Sequence, residues 1–319
     1  MGQLRILAST FAVGSAGGNQ RSIESWARAL EGHDLTLVHR HFEPGPYRRF
    51  GPHVALVPEW KVVPARPTRP QTWWRAAATR LGPRGPFDVY LRFSNSLDLA
   101  AGRSARLRAL MPAGDHLGGA EADYDVVLSQ SDGGIDLLDD PSKHRVCLPP
   151  TYPVAERCEP VDGLPATFVL SVFNAYSAVK GLDDLAACAA ASHHPIVWAH
   201  RSGLTRDEDT PPGVHEVIDP TPGQLRTLYE GCEAYLSVSH SEGYGWSIAD
   251  AVLLGRPVIS RRVGIVASFP HDTEGIHEYD TIHEAIEQLR ADTWSAPDPA
   301  LVPSPGAARA LLESLVADR

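Results

Sequence analysis

Short apolar runs alternate with amphipathic segments along most of the chain, and this alternation limits the folds that the sequence can adopt. The first run, Leu4–Ser9, precedes a glycine-rich loop, helical spacing over residues 20–34 and a second run, LTLVHR. This order predicts a βαβ unit, which requires parallel strands and a right-handed crossover. Further predicted strands are HVALVP, DVYLRF, RALMP, YDVVLSQ and HRVCLPP.

The alternation restarts after a proline-rich polar stretch at residues 149–165, which we interpret as a linker. The predicted strands of the second half are TFVLSVF, PIVWAH, GVHEVID, AYLSVS and RPVISR. The predicted helices are GLDDLAACAAAS, TPGQLRTLYEGC, TIHEAIEQLRA and GAARALLESLVA. The fold class is therefore α/β, with two Rossmann-like doubly wound domains that face a central cleft. We predict domains at residues 1–155 and 156–295, and a helix in 296–319 that packs back toward the first domain.

Charge and composition exclude several classes of protein. The net charge of -10 argues against a broad basic face for nucleic acid. Four separated cysteines without a CxxC pair indicate reduced thiols in a cytoplasmic protein, and the histidines show no metal-ligand spacing. The opening apolar run is too short for a signal peptide, and no run approaches the ~18–20 apolar residues of a membrane span. Peripheral contact with a membrane stays open.

The segment HSEGYGWSIADAVLL predicts an anion site at the start of a helix. Gly243 and Gly245 permit a sharp turn and the close approach of a ligand. The helix predicted to begin near Trp246 offers amide N–H groups without internal partners, a setting that suits phosphate. Because a carboxylate repels phosphate, Glu242 at the edge of this site is expected to accept hydrogen bonds from hydroxyl groups.

Asp250 lies among apolar residues of the same helix. Burying a polar group without partners costs about 2–7 kcal/mol, and more when the group is charged. Two ribose hydroxyls would supply the missing donors. Backbone amides or Arg256 would satisfy the carboxylate equally well, and the residues alone leave both interpretations open.

The stretch EGYGWSIADAVLLGRPVIS resembles the acidic motif of GT-B glycosyltransferases of the retaining family 4 type. Seven residues separate Glu242 from Asp250, as in that motif, although the family usually has Glu at the second position. GNQRSIESWARALEGHDLTLV and VIDPTPGQLRTLYEGCEAYLSVS resemble two further family segments. The resemblance implies a hexosyltransferase that moves a sugar from a UDP- or GDP-sugar to a small-molecule or glycan acceptor. The first domain would bind the acceptor and the second the donor, with no cofactor and no metal.

The resemblance also implies roles for individual residues. Glu242 would contact the hydroxyls of the transferred sugar as a catalytic residue, and Asp250 would hold the ribose. The diphosphate or sugar would bind the loop and helix start formed by Gly243, Tyr244, Gly245, Trp246 and Ser247.

Lys180 matches the lysine of the family pattern G-R-x-x-x-x-K-G, which neutralises the leaving diphosphate, and it is one of three lysines in the chain. The arginine of that pattern is missing, because Asn174 or Ala175 stands at its place. Losing one charge-assisted contact to phosphate costs roughly 1.5–3 kcal/mol. Arg201, after the strand PIVWAH, is the first candidate to replace it. A solvated lysine at a helix start is the alternative interpretation of Lys180.

In the first domain, Gly17 and Gly18 would let a loop approach the transferred sugar or the acceptor, although a plain tight turn explains them as well. His116 is the nearest candidate for the first-domain histidine that reaches the donor sugar in related enzymes. A solvated loop histidine remains the alternative.

Three other functions stay open to different degrees. A nucleotide-sugar-binding protein that has lost catalysis would explain the missing arginine and the Asp at position 250. A UDP-sugar 2-epimerase would need acidic and histidine groups paired in the first domain, and the sequence offers no obvious pair. A nicotinamide dehydrogenase is disfavoured because GSAGG lacks the GxGxxG spacing.

Overall fold

A computed structural model of the chain describes residues 2–13, 18–42, 50–58, 85–93, 98–112, 120–131, 140–204 and 210–319. The chain forms two compact units. The first combines Met1–Pro150 with Pro303–Arg319, and the second is Thr151–Val302. The boundary between Pro150 and Thr151 falls within the predicted linker, and residues 296–302 belong to the second unit.

The first unit contains a seven-stranded sheet in the order β3-β2-β1-β4-β5-β6-β7, in which all neighbouring strands are parallel. The strands are β1 (Arg5–Val13), β2 (Asp34–Phe42), β3 (Val54–Pro58), β4 (Val89–Phe93), β5 (Leu107–Met111), β6 (Val126–Ser129) and β7 (His144–Val146). The strand order reverses between β1 and β4. Strands β4 to β6 are buried at almost every position, as expected for parallel strands covered on both faces.

Two helices cover one face of this sheet, α1 (Gly18–Ala29) and α6 (Pro305–Ala317). Trp26 of α1 and Leu312 of α6 belong to the same buried cluster. On the other face, the buried rings of Tyr90 and Tyr124 form a second cluster. The crossovers after β4 and β5 contain only 3-10 turns within their described residues, where a doubly wound fold usually has α-helices.

The second unit contains a six-stranded parallel sheet in the order β10-β9-β8-β11-β12-β13. Its strands are β8 (Val169–Val172), β9 (Ile196–His200), β10 (Val214–Ile218), β11 (Ala234–Ser237), β12 (Val258–Ser260) and β13 (Ile276–Glu278). Its helices are α2 (Leu182–Ala191), α3 (Pro222–Gly231), α4 (Trp246–Leu253) and α5 (Ile282–Ala291). The chain progresses outward from β8 to β10, then returns to β11 beside β8, so the order reverses between these two strands.

Local sequence explains where two of these helices begin. Thr221 and Gln224 form a capping box at the start of α3, and Thr281 and Glu284 form another at the start of α5. Each box satisfies backbone N–H groups that have no partner inside the helix. Within the described residues, no helix is both long and apolar enough to cross a bilayer.

Candidate functional site

The loops that follow β8 and β11 lie at the reversal point of the second sheet. In open parallel sheets, ligands bind beyond the carboxyl ends of the strands at such a point. The first loop carries Lys180 and the second carries Glu242, the two residues predicted to contact diphosphate and sugar. The topology therefore places the predicted donor-binding residues where a ligand is expected.

An ion pair joins the two loops. Lys180 Nζ lies 2.8 Å from Glu242 Oε1, and the two side chains are only 13% and 18% exposed. The ammonium also lies 5.5 Å from the ring centroid of the exposed Tyr176. Lys180 is therefore a partly buried, paired cation rather than the solvated lysine of the alternative interpretation.

The backbone fixes the position of this lysine. A 3-10 turn, Ala178–Lys180, ends at Gly181, whose φ of 74° is in the left-handed region. A Cβ at Gly181 would lie 2.3 Å from the carbonyl oxygen of Val238, so only glycine fits between the loops. The amide of His240 donates to the carbonyl oxygen of Val179 at 2.8 Å and ties the loops together a second time.

Contacts of Tyr244 with Thr151 and with residues 264–265 fix the glycine loop before α4. Gly245, the residue before α4, has a φ of 78° and, as a glycine, supplies no side-chain cap of its own. Tyr244 is buried, its hydroxyl lies 2.7 Å from Thr151 Oγ1, and its carbonyl oxygen accepts from Ile265 N at 2.7 Å. Gly264, with a φ of 55°, permits this contact because a Cβ there would lie 2.5 Å from the Tyr244 oxygen.

Asp250 is buried in α4, with 3% of its surface exposed. Burial raises the pKa of the Tyr235 hydroxyl, and the charges of Glu242 and Asp250 raise it further. Tyr235 therefore lies near both predicted acids, Glu242 and Asp250. Arg256, named above as another partner for Asp250, donates from Nη1 to the carbonyl oxygen of Cys232 at 3.3 Å.

At the first turn of α4, Trp246 and Ser247 are partly exposed, while Gly243 is exposed. The ring of Trp246 packs edge-on against Tyr244, with 4.7 Å between centroids. The Ser247 carbonyl accepts from the hydroxyl of Tyr229 at 3.1 Å. These contacts orient the start of α4.

Asn174, at the place of the family's arginine, has a backbone partner. Its Oδ1 accepts from the amide of Arg201 at 2.9 Å and joins the carboxyl ends of β8 and β9. The guanidinium of Arg201 lies 3.9 Å from Asp219 Oδ1, and burial lowers the pKa of Arg201. Arg201 follows β9, which lies on the side of β8 opposite to β11, the strand that precedes α4.

Sequence reasoning missed a second basic residue at this edge, Arg261. Its guanidinium donates to the Val238 carbonyl oxygen at 2.9 Å, to the Tyr279 hydroxyl at 3.1 Å and to Asp184 Oδ2 at 2.7 Å. His240 lies 3.1 Å from the same carboxylate oxygen. Arg261 thereby joins the loop after β11 to the first turn of α2. Its place immediately after the strand RPVIS was the available signal.

Of the predicted site residues in the first unit, the structure describes Gly18. Gly18 is the first residue of α1 and follows β1, at the reversal point of that sheet. Gly17 and His116, the other predicted site residues of this unit, lie outside the described residues. Their roles stay predictions, as do those of the second-unit residues.

Comparison with known proteins shows the fold. No protein-family profile and no curated sequence matches the chain. AviGT4, a glycosyltransferase involved in avilamycin A biosynthesis, is 15% identical, with a TM-score of 0.66 and 99% of both chains covered. Anabaena Alr3699/HepE, solved with UDP-glucose, is 14% identical, with a TM-score of 0.63 and 99% of both chains covered.

WaaG, a glycosyltransferase involved in lipopolysaccharide biosynthesis, is 14% identical, with a TM-score of 0.59, and the match covers 98% of this chain and 95% of that one. These likenesses confirm the predicted fold class, a GT-B arrangement of two α/β units with parallel sheets. At such identities they show the fold alone.

Proposed function

We propose that the protein is a retaining glycosyltransferase that moves a sugar from a UDP- or GDP-sugar to a small-molecule or glycan acceptor. The observation that carries the proposal is the pairing of Lys180 with Glu242 in the loops that precede α2 and α4. One cation and a row of amide donors suit a diphosphate, and an adjacent carboxylate suits sugar hydroxyls. The fold shared with glycosyltransferases, one of them solved with UDP-glucose, supports this interpretation.

The chemistry needs negative charge to be stabilised on the leaving group. As the bond between the anomeric carbon and the phosphate oxygen breaks, its electron pair passes to the diphosphate. Lys180 and the amides of Trp246 and Ser247 would stabilise that charge without reorganising, which is how preorganised sites lower a barrier. The acceptor hydroxyl oxygen then bonds to the anomeric carbon on the same face, and its proton passes to the phosphate oxygen that has left.

In this scheme, Glu242 binds hydroxyls of the transferred sugar and Asp250 binds the ribose. To bind Lys180, the donor diphosphate must displace the Glu242 carboxylate. Donor binding therefore replaces the Lys180–Glu242 ion pair by an ion pair between Lys180 and the diphosphate. In this proposal no cofactor and no metal take part, and Lys180 and the amides at the start of α4 stabilise the charge of the diphosphate. We place the reaction in the cytoplasm, where nucleotide sugars are the donors, and infer no nucleic-acid partner from the net charge of -10.

The test is to incubate the purified protein with a panel of UDP- and GDP-hexoses and to measure nucleoside diphosphate release by mass spectrometry. Release is expected with at least one donor, slowly to water and faster when an acceptor is present. Lys180→Met and Glu242→Gln should each lower turnover by about 10²–10³-fold, the usual loss on removing a transition-state contact. Glu230→Gln, which breaks the Arg226–Glu230 pair on α3, is the matched control and should leave turnover unchanged. Unchanged turnover in both site variants would contradict the assigned roles, and an inverted anomeric configuration in the product would contradict retention.

A nucleotide-sugar-binding protein without transfer activity is the second candidate. It is favoured by Asn174, whose side chain is used by the Arg201 backbone and supplies no charge for phosphate. Binding of UDP or GDP in the absence of any donor turnover would select this function over catalysis.

A further inference from the structure

A cluster of two histidines and one aspartate lies at the opposite edge of the second sheet from the candidate donor site. His193 and His194 are in the turn that leads into β9, and Asp292 follows the last residue of α5. One ligand atom from each of these residues lies within 4.8 Å of the others. Because β9 begins just after this turn, the cluster is at the amino ends of the strands, whereas Lys180 and Glu242 follow carboxyl ends.

Carboxylates lie near both ring nitrogens of His194, although its Nε2 makes no hydrogen bond to any described residue. Its Nδ1 lies 3.1 Å from Glu233 Oε2, its Nε2 lies 3.4 Å from Asp292 Oδ1, and its side chain is 9% exposed. The ring of Trp294 packs against it at 5.2 Å between centroids. In metal-binding histidines, a carboxylate on one imidazole nitrogen commonly orients the ring so that the other nitrogen can bind the metal ion.

His193 adds a second imidazole at the same place. The two histidine rings lie 4.2 Å apart between centroids, and the His193 side chain is exposed. An imidazolium of His194 between Glu233 and Asp292 would account for the carboxylate contacts. It would leave unexplained why a second imidazole nitrogen converges on Asp292.

We propose that His193, His194 and Asp292 bind a divalent transition-metal ion, with Zn²⁺ as its probe. Two imidazoles and one carboxylate suit Zn²⁺, and three protein ligands leave a coordination position for water. Ligand atoms around tetrahedral Zn²⁺ are roughly 3.3 Å apart, so the three groups must contract from their present spacing. The exposed His193 and the half-exposed Asp292 have room to do so, while the partly buried His194 and its partner Glu233 stay in place.

The proposed ion would act on stability rather than on sugar transfer. It would tie the α2–β9 turn to the end of α5, two segments distant in sequence, and an ion that binds only the folded protein stabilises it. This inference does not depend on the proposed function.

The test is a titration of the untagged full-length chain with Zn²⁺ by calorimetry, together with the visible absorption of bound Co²⁺. We expect one ion per chain and a Zn²⁺-dependent rise in the melting temperature. His194→Ala and Asp292→Asn should weaken binding by more than about tenfold, and Glu233→Gln should weaken it about tenfold through loss of ring orientation. The control is His283→Ala, which removes an exposed histidine of α5 paired with Glu287 and should bind Zn²⁺ as the wild type does.

Each variant is melted without metal to establish that it folds. Absence of saturable Zn²⁺ binding to the wild type would overturn the proposal. So would equal Zn²⁺ affinity in the wild type, His194→Ala and Asp292→Asn proteins, because the ion would then bind elsewhere.

Discussion

Replacing Glu242 by glutamine should tighten the binding of a free nucleoside diphosphate, whereas replacing Lys180 by methionine should weaken it. Lys180 Nζ and Glu242 Oε1 are 2.8 Å apart, which corresponds to a Coulomb attraction of roughly 6 kcal/mol at an effective dielectric constant of about 20. Most of that attraction is offset by desolvation of the two groups. The net contribution of a charge-assisted hydrogen bond is about 1.5–3 kcal/mol.

These free energies set the expected changes in the Kd of UDP and GDP. Lys180→Met removes the contact to phosphate and should raise the Kd of UDP or GDP about tenfold to a hundredfold. Glu242→Gln removes the competing negative charge, and a gain of about 1 kcal/mol corresponds to a roughly fivefold lower Kd. The same variant should lose turnover, because the sugar hydroxyls lose their carboxylate.

Calorimetric titration with UDP and GDP measures both shifts. Glu230→Gln provides the control, since it breaks an ion pair of 2.7 Å in the same unit, on α3. Misfolding would weaken binding in every variant, so the opposite signs distinguish the predicted effect from damage. Unchanged affinity in Lys180→Met, or weaker binding in Glu242→Gln, would refute the competition between carboxylate and phosphate for one amine.

Two further predictions concern stability and thiol chemistry. Gly163 has a φ of 73° and open space around it, so Gly163→Ala should lower the free energy of unfolding by about 1–2 kcal/mol. Gly181 has a φ of 74° but lies against the Val238 carbonyl, so Gly181→Ala should lower it further, as measured by urea denaturation. Equal losses in the two variants would contradict the steric argument. In the native protein one thiol, the exposed Cys158, should react rapidly with a thiol reagent. Burial raises the pKa of the other three thiols, Cys147, Cys188 and Cys232, from 9.0 to about 12. Because these thiols lose their protons at lower pH in the unfolded chain than in the folded protein, the free energy of unfolding should fall as pH rises through that interval. Rapid labelling of all four thiols, or a flat alkaline stability profile, would contradict this.

The alternation of apolar runs with amphipathic segments predicted most elements of both sheets, because strands buried on both faces are apolar throughout. Strand β13 was missed, since its residues Ile276–Glu278 form a short edge strand with two polar positions. The 3-10 turn at Ala100–Ser104, after β4, was also not predicted. A Cβ at Gly102 would lie 2.4 Å from the ring of Tyr90, and this close approach is invisible in a local pattern.

The candidate site was predictable only in part. The resemblance to family motifs predicted Lys180 and Glu242 separately, but their ion pair depends on β8 lying next to β11, two strands that are not consecutive in the chain. The same applies to Arg261 and Asp184, which meet because β12 continues outward from β11. Contacts between distant loops follow from topology, which local patterns do not encode.

The most direct test of the central claim is a crystal structure of the full chain with UDP or GDP bound. The diphosphate is expected within hydrogen-bonding distance of Lys180 Nζ and of the first amides of α4, with the Lys180–Glu242 pair broken and the ribose hydroxyls on Asp250. A nucleotide bound elsewhere, or a Lys180 that keeps Glu242 while the diphosphate lies apart from α4, would contradict the account.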